Sequence, residues 1–341
     1  MIPFAEMYEQ VRKSALLLAT PEPATGLTPR TAVWRKNKAV LWHYPAAEKK
    51  YEVPLFLVYS LVNQAFILDL APGYSMIEAF TKEGYDVYLL DFGIPGYEDK
   101  DITVDDYVLN YIQEAGRRTL RHAKANELTV IGYCLGGTIA AIYAAVTEDP
   151  IRNVIMNVAP IDFQQYKGFD KLTAAMRDGK ADLDPIFDAL GIIPAPFIKA
   201  GLRMVSYPVY YSPYLSLINR IDNQEYTDYW RRFNKWTQGH VPFSGAALKQ
   251  LVQDFGRDNK FVKGTLEIGG RRASLSNIDS SLLVICAEND KLVPMELSTA
   301  ILDLSSSTDK TLEILSGGHA TFNAKDGLPG YLSEWLKARS K

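Results

Sequence analysis

Residues 127–138 read Glu-Leu-Thr-Val-Ile-Gly-Tyr-Cys-Leu-Gly-Gly-Thr. A short apolar β-run delivers Cys134 into a glycine-framed turn, and an apolar helical pattern starts at once and continues to Val146. This is the sequence form of a nucleophile elbow, with cysteine where serine is usual. Gly132 and Gly136 flank the turn at the spacing that keeps Cβ atoms out of a sharp strand-to-helix reversal. A thiol there also meets backbone N–H groups and the positive end of a helix dipole, which favour the thiolate. Such a turn demands a buried strand before it and a helix folded back beside it.

The surrounding chain supplies both kinds of element repeatedly. Residues 1–19 form an amphipathic helical pattern ended by the Pro- and Thr-rich segment 20–29, and a β-like region spans Ala32–Tyr44. β-Runs at Val53–Leu61, Tyr85–Phe92, Leu128–Gly132 and Asn153–Pro160 then alternate with helical patterns at Ser75–Lys82, Thr103–Ala125 and Gly136–Val146. Thr103 and Asp106 resemble a capping box at the start of the long helix. Near-continuous apolar strands alternating with helices imply a mostly parallel, doubly covered sheet. The alternation stops over 161–277, a stretch rich in Pro and aromatics that includes Tyr207, Pro208, Tyr210, Tyr211, Tyr214, Tyr229, Trp230 and Trp236. It resumes with Ser281–Ala287, a helix from about Pro294, Thr311–Leu315 and a last helix at Tyr331–Arg339. The reading is an N-terminal helix and linker over 1–30, a core of 31–160 and 278–341, and a cap inserted at 161–277. An insertion there leaves the C-terminal edge of the sheet, where open α/β folds place their sites.

Composition narrows the function. A net charge of −3 over 341 residues gives no electrostatic case for nucleic acid or an anionic membrane. No stretch approaches the roughly 20 apolar residues of a transmembrane helix, and the run Ala15–Ala19 is too short for a signal-peptide core. The two cysteines, Cys134 and Cys286, lie in separate β-patterns, so a reducing, cytoplasmic setting is expected.

An elbow cysteine needs a base, and the base an orienting acid. In α/β-hydrolase folds the chain order is nucleophile, acid, histidine. Asp290 follows the buried run Leu282–Ala287, and His319 sits in Ser-Gly-Gly-His just after the next strand. Cys134, Asp290 and His319 are therefore the candidate triad, with Glu288 as the alternative acid. The oxyanion hole is expected from the backbone N–H of Leu135 and one in the loop after Val53–Leu61. His43 falls in the N-terminal β-region, His122 closes a long surface helix where a cation is favourable, and His240 reads as a loop or cap residue. Cys286 reads as an inert core thiol. No spacing suggests zinc. A thiolate attacking a thioester keeps the acyl group activated, which points to acyl transfer from an acyl-coenzyme A.

Gly-Tyr-Cys-Leu-Gly-Gly-Thr, with residues 59–70 (Tyr-Ser-Leu-Val-Asn-Gln-Ala-Phe-Ile-Leu-Asp-Leu), 85–93, 26–29, 34–38, 235–243 and 316–319, resembles the catalytic subunit of polyhydroxyalkanoate synthases over nearly the whole chain. The length matches the short two-component enzymes, and the wording is closer to the Bacillus-type class IV than to class III. The resemblance implies an α/β-hydrolase fold with a large cap. Cys134 would carry the (R)-3-hydroxyacyl or polyester chain as a thioester. His319, supported by Asp290, would activate the thiol and the attacking 3-hydroxyl, and Val62 N–H would be the second oxyanion donor. It implies coenzyme A thioesters as substrate, with no permanently bound cofactor and no metal. It also implies a small accessory synthase subunit, a homodimer through the cap and a polyester granule surface in the cytoplasm. Many relatives carry histidine after the aspartate, whereas this chain has Lys291, which bears on how Asp290 is held. Arg231, Arg232 and Lys235 are candidate cations for coenzyme A phosphates. Cys134 is expected to lie covered by the cap in the isolated subunit. Dienelactone hydrolases share the elbow string but lack a large cap, and an esterase with an aromatic lid is the other competing reading.

Overall fold

Alternate residues along each central strand go to opposite faces of one sheet, and both faces are buried. The computed structural model describes residues 4–206, 212–320, 325 and 327–341. Its sheet contains β1 (Thr31–Lys36), β2 (Ala39–Tyr44), β3 (Leu55–Val58), β4 (Val87–Asp91), β5 (Leu128–Tyr133), β6 (Ile151–Asn157), β7 (Ser281–Ala287) and β8 (Lys310–Leu315). The spatial order is β1-β2-β4-β3-β5-β6-β7-β8. Strands from β4 across to β8 pair in parallel, while β1 and β2 form an antiparallel hairpin on the edge of β4. The β-like region of the sequence is thus two strands, reversed at Asn37 with φ +50°.

Phe56, Val58, Tyr88, Leu90, Val130, Val154 and Val284 face one buried cluster, together with the inner stripe of α3 (104–123) and with α4 (Leu135–Val146). Leu55, Leu57, Val87, Leu89, Ile131, Ile155 and Ile285 face the other, covered by α2 (Met76–Glu83) and a C-terminal helix, α8 (Gly330–Lys337). Burial on both faces is why these strands read as continuous apolar runs. Local signals set the helix ends. Ser75 caps α2 by accepting from Glu78 N–H, and Gly84 ends it at φ +112°. Thr103 and Asp106 form the reciprocal capping box of α3. The same helix is π-helical over Tyr107–Ile112, a detail its apolar periodicity does not disclose.

Between β6 and β7 the chain leaves the sheet. An N-terminal helix, α1 (Phe4–Leu18), precedes the core, and α5 (Ala195–Ser206), α6 (Ser212–Asn219) and α7 (Gln224–Gln238) are the main helices of the insertion. Its return segment behaves differently. Ala247, Phe255, Phe261, Leu266, Ile268 and Ala273 join the buried cluster beneath α3 and α4. The stretch read as one cap therefore has two parts: helices near the C-terminal edge of the sheet, and a length embedded in the core. Tyr207, Pro208, Tyr210 and Tyr211 lie outside the described residues. No helix among the described residues is long and apolar enough to cross a membrane.

Candidate active site

Cys134 sits between β5 and α4 at φ +50°, ψ −129°, a conformation rarely adopted by a residue with a side chain. Its N–H donates to Asn157 O at 3.0 Å, and its carbonyl accepts from Gly137 N–H at 2.9 Å. The glycines allow this close approach. A Cβ on Gly132 would stand 2.3 Å from Gly137 Cα, and one on Gly136 would stand 2.4 Å from the Tyr59 carbonyl. The string therefore lets the first turn of α4 press against the backbone of β5 and the end of β3.

Asp290 and His319 arrive from the exits of β7 and β8. Those exits are joined by Glu288 N–H to Leu315 O at 2.9 Å and Asn289 N–H to Gly317 O at 2.8 Å. Asp290 is 4% exposed. One carboxylate oxygen, Oδ2, lies 2.7 Å from His319 Nδ1. The other accepts from Leu292 N–H at 2.8 Å and Val293 N–H at 2.9 Å. Backbone donors thus hold Asp290, and the exposed Lys291 side chain plays no part in that hold. Glu288 is also exposed, just past the end of β7, and Asp290 alone of the two carboxylates meets the histidine. Burial disfavours charge on His319, but the Cys134 sulfur and the Asp290 carboxylate outweigh it and push its pKa up to about 10. With Nδ1 turned to Asp290, Nε2 is left for the sulfur.

The half-buried Cys134, Asp290 and His319 share a cavity of about 440 Å³. Leu202, Tyr214, Tyr229, Phe233 and Trp236 bring the insertion into its walls. Leu135 occupies the first helical position after the elbow, where backbone N–H groups lack intrahelical partners. Val62 also lines the cavity, and its N–H makes a long 3.4 Å contact with Ser60 Oγ.

The cations expected for phosphates are engaged elsewhere. Arg231 donates to Pro21 O, Arg232 to Ala24 O at 3.1 Å, and Lys235 to Pro23 O at 3.4 Å. They fasten the N-terminal linker across α7, a contact that helix spacing alone does not reveal. His43 and His122 cluster about Tyr88 near the N-terminal end of β4, away from the elbow. His43 stacks on Tyr88 at 4.6 Å, and His122 Nδ1 lies 2.8 Å from the Tyr88 hydroxyl. Burial, together with the neighbouring His43, lowers the His122 pKa, so its place in this cluster opposes the helix-end cation read from the sequence. Cys286 is a buried core thiol, pushed up to about 11 by burial. His240, read as a loop or cap residue, lies just past the end of α7 and also lines the cavity that holds Cys134. Its sequence context carries no signal for this, because the contact depends on how the end of α7 meets the loop after β3. Among the described residues no cluster suited to a metal ion occurs.

An α/β hydrolase fold family model matches residues 61–323. Poly(3-hydroxyalkanoate) polymerase subunits PhaC from Synechocystis sp. and Allochromatium vinosum are each 30% identical to the chain. Those alignments cover 92% of this chain and 85% and 90% of the relatives. The namesake from Haloferax mediterranei is 30% identical over 94% of this chain, which spans 66% of that longer protein. Among solved structures, an α/β hydrolase from Penicillium sp. superposes with a TM-score of 0.52 at 17% identity, covering 91% of this chain and 96% of that one. An esterase from Pyrococcus furiosus gives 0.50 at 14% identity, covering 94% and 97%. At those identities the likeness speaks to the fold.

Proposed function

The chain belongs to the poly(3-hydroxyalkanoate) polymerase PhaC family of α/β-hydrolase fold proteins, and from that premise we propose that it polymerises (R)-3-hydroxyacyl-coenzyme A, with 3-hydroxybutyryl-coenzyme A as the favoured substrate, through a Cys134–His319–Asp290 triad. The observation that carries the reading is the elbow cysteine sharing one cavity with a histidine whose far nitrogen is bound by a buried carboxylate.

The Cys134 thiolate attacks the thioester carbonyl, and the oxyanion is met by the N–H groups of Leu135 and Val62. Collapse breaks the bond to coenzyme A, whose sulfur takes the proton of the His319 imidazolium. Neutral His319 then accepts the proton of a 3-hydroxyl as that oxygen attacks the thioester on Cys134. An ester forms, the thiolate leaves, and the imidazolium is restored. Asp290 fixes the tautomer and offsets the imidazolium charge throughout. Cysteine suits this cycle because the acyl group stays a thioester between additions. The aromatic walls suit it because they keep water from an intermediate that water would hydrolyse. A small accessory synthase subunit, a homodimer through the cap and a cytoplasmic granule surface complete the proposed setting.

Coenzyme A release from 3-hydroxybutyryl-coenzyme A, with and without an accessory subunit, tests the reading alongside product analysis. Polymer is expected from the wild type, and Cys134→Ala is expected to abolish release. Turnover retained by Cys134→Ala, or release of free hydroxy acid alone, overturns the proposal.

A further inference from the structure

The cavity around Cys134 is mostly apolar, so its few polar groups decide which substrates it accepts. Several of those groups are already engaged. Asn63 Oδ1 accepts from Gln64 N–H at 2.7 Å, and its amide donates to Trp236 O at 3.1 Å. Thr237 Oγ donates to its own helix, Asn234 Oδ1 accepts from the Tyr214 hydroxyl at 2.9 Å, and the Tyr59 hydroxyl accepts from Trp236 Nε1 at 3.1 Å. His240 differs. Its ring lines the cavity, and Nδ1 is buried with no hydrogen-bond partner. An unpartnered buried nitrogen costs free energy that a bound ligand can offset when the ring turns it toward the cavity.

Position and charge restrict what that ligand is. The His240 backbone is bridged to Asn63, and Val241 N–H donates to Val62 O at 3.2 Å. His240 therefore flanks the loop whose Val62 N–H is the proposed oxyanion donor. A group bound beside it shares the cavity with the Cys134 sulfur and lies next to the proposed oxyanion loop. Burial, then the cations Lys199 and Arg203 of α5, push the His240 pKa down to about 4. The ring is thus neutral at working pH: one nitrogen donates, the other accepts, and neither pairs with a charge. A hydroxyl, being both donor and acceptor, satisfies either tautomer. A 3-hydroxyl stands on the second carbon from the thioester carbonyl.

We propose that His240 is a specificity-determining residue that binds the 3-hydroxyl of the acyl group, so that the enzyme favours 3-hydroxyacyl over plain acyl thioesters. The inference rests on the polymerase reading and refines it. His240 orients the hydroxyl of the acyl group under attack, while His319 takes the proton of the 3-hydroxyl that attacks.

The test compares single-turnover coenzyme A release from 3-hydroxybutyryl-coenzyme A and from butyryl-coenzyme A, which lacks the hydroxyl but can still acylate Cys134. In His240→Phe the ratio of the hydroxyacyl rate to the butyryl rate is expected to fall about tenfold, the worth of one hydrogen bond to a neutral group. His240→Gln, which retains a donor and an acceptor, is expected to recover most of the loss. Should His240→Phe fail to fold, His240→Ala decides with the same pair of substrates. A ratio of the two rates that matches wild type, whether both fall or both persist, overturns the proposal. A wild-type chain that, supplied with an accessory subunit, releases coenzyme A from neither substrate overturns the polymerase reading and this one with it.

Discussion

At His319 three influences act on one ring: burial opposes its charge, while the sulfur on one side and the carboxylate on the other favour it. The balance gives a group that titrates near 10 and keeps its proton through the neutral range. Removing one influence should be visible directly. In Cys134→Ala, His319 loses the sulfur and retains both the burial and Asp290, so its pKa is expected to fall from about 10 toward the ordinary 6.5. A histidine ring titration by NMR checks this, and an unmoved His319 would mean that Asp290 alone sets its charge. The elbow itself is as constrained as its conformation suggests. Gly136→Ala would place Cβ against the backbone of Tyr59 and Val58, atoms that cannot turn aside. A loss of about 3 kcal/mol is expected from urea unfolding, together with loss of coenzyme A release.

At the scale of elements, strands β5, β6 and β7 and helices α2 and α4 are legible in the sequence because burial on both faces leaves unbroken apolar runs, and caps such as Ser75 mark the ends. Asp290 and His319 are legible for a related reason: a polar residue just past a buried strand has nowhere to go but the sheet edge. The parts that resist reading depend on contacts between distant segments. The return segment at 245–277 looks like more cap, yet it packs under α3. Arg231, Arg232 and Lys235 look like a solvated or phosphate-binding face, yet they hold the linker. The far end of the sheet adds another such contact, Asp86 to His43 at 3.3 Å across β4 and β2. That bond, reinforced by Ala46 N–H and Lys49 against an opposing burial effect, holds the Asp86 carboxyl down to about 2. A carboxyl lowered in the folded state stabilises above its unfolded value of 3.8, and the stabilisation is lost as pH falls through about 2. Asp86→Asn is expected to cost about 1–2 kcal/mol at pH 7 and to spare catalysis. The difference in stability from wild type should close as the solution is acidified below 3.8.

Across the whole molecule, the end of α7 is tied to the loop after β3 by a short set of hydrogen bonds. Trp236 Nε1 donates to the Tyr59 hydroxyl, Asn63 donates to Trp236 O, and Gln64 donates to Gly239 O at 3.3 Å, while Val241 N–H reaches Val62 O. The end of α7 and the loop at 59–64 are therefore tied together, and the aim of the Val62 N–H, the proposed oxyanion donor, is expected to follow the position of α7. Any event that shifts α7, whether arrival of a long acyl chain or of a second protein, would be felt at the carbonyl under attack rather than only at the cavity mouth. Asn63 is part of this link: 9% exposed, it donates to Trp236 O and accepts from Gln64 N–H. Asn63→Ala leaves the triad intact and removes both bonds, so its effect should appear in stabilisation of the transition state rather than in ground-state binding. The expected result is a fall in kcat of about tenfold to a hundredfold, the range for a weakened oxyanion donor, with KM for 3-hydroxybutyryl-coenzyme A little changed. The His319 titration should stay near 10, since no group that sets it is touched. A rise in KM with kcat preserved would place Asn63 in the substrate-binding wall and remove α7 from control of the oxyanion loop.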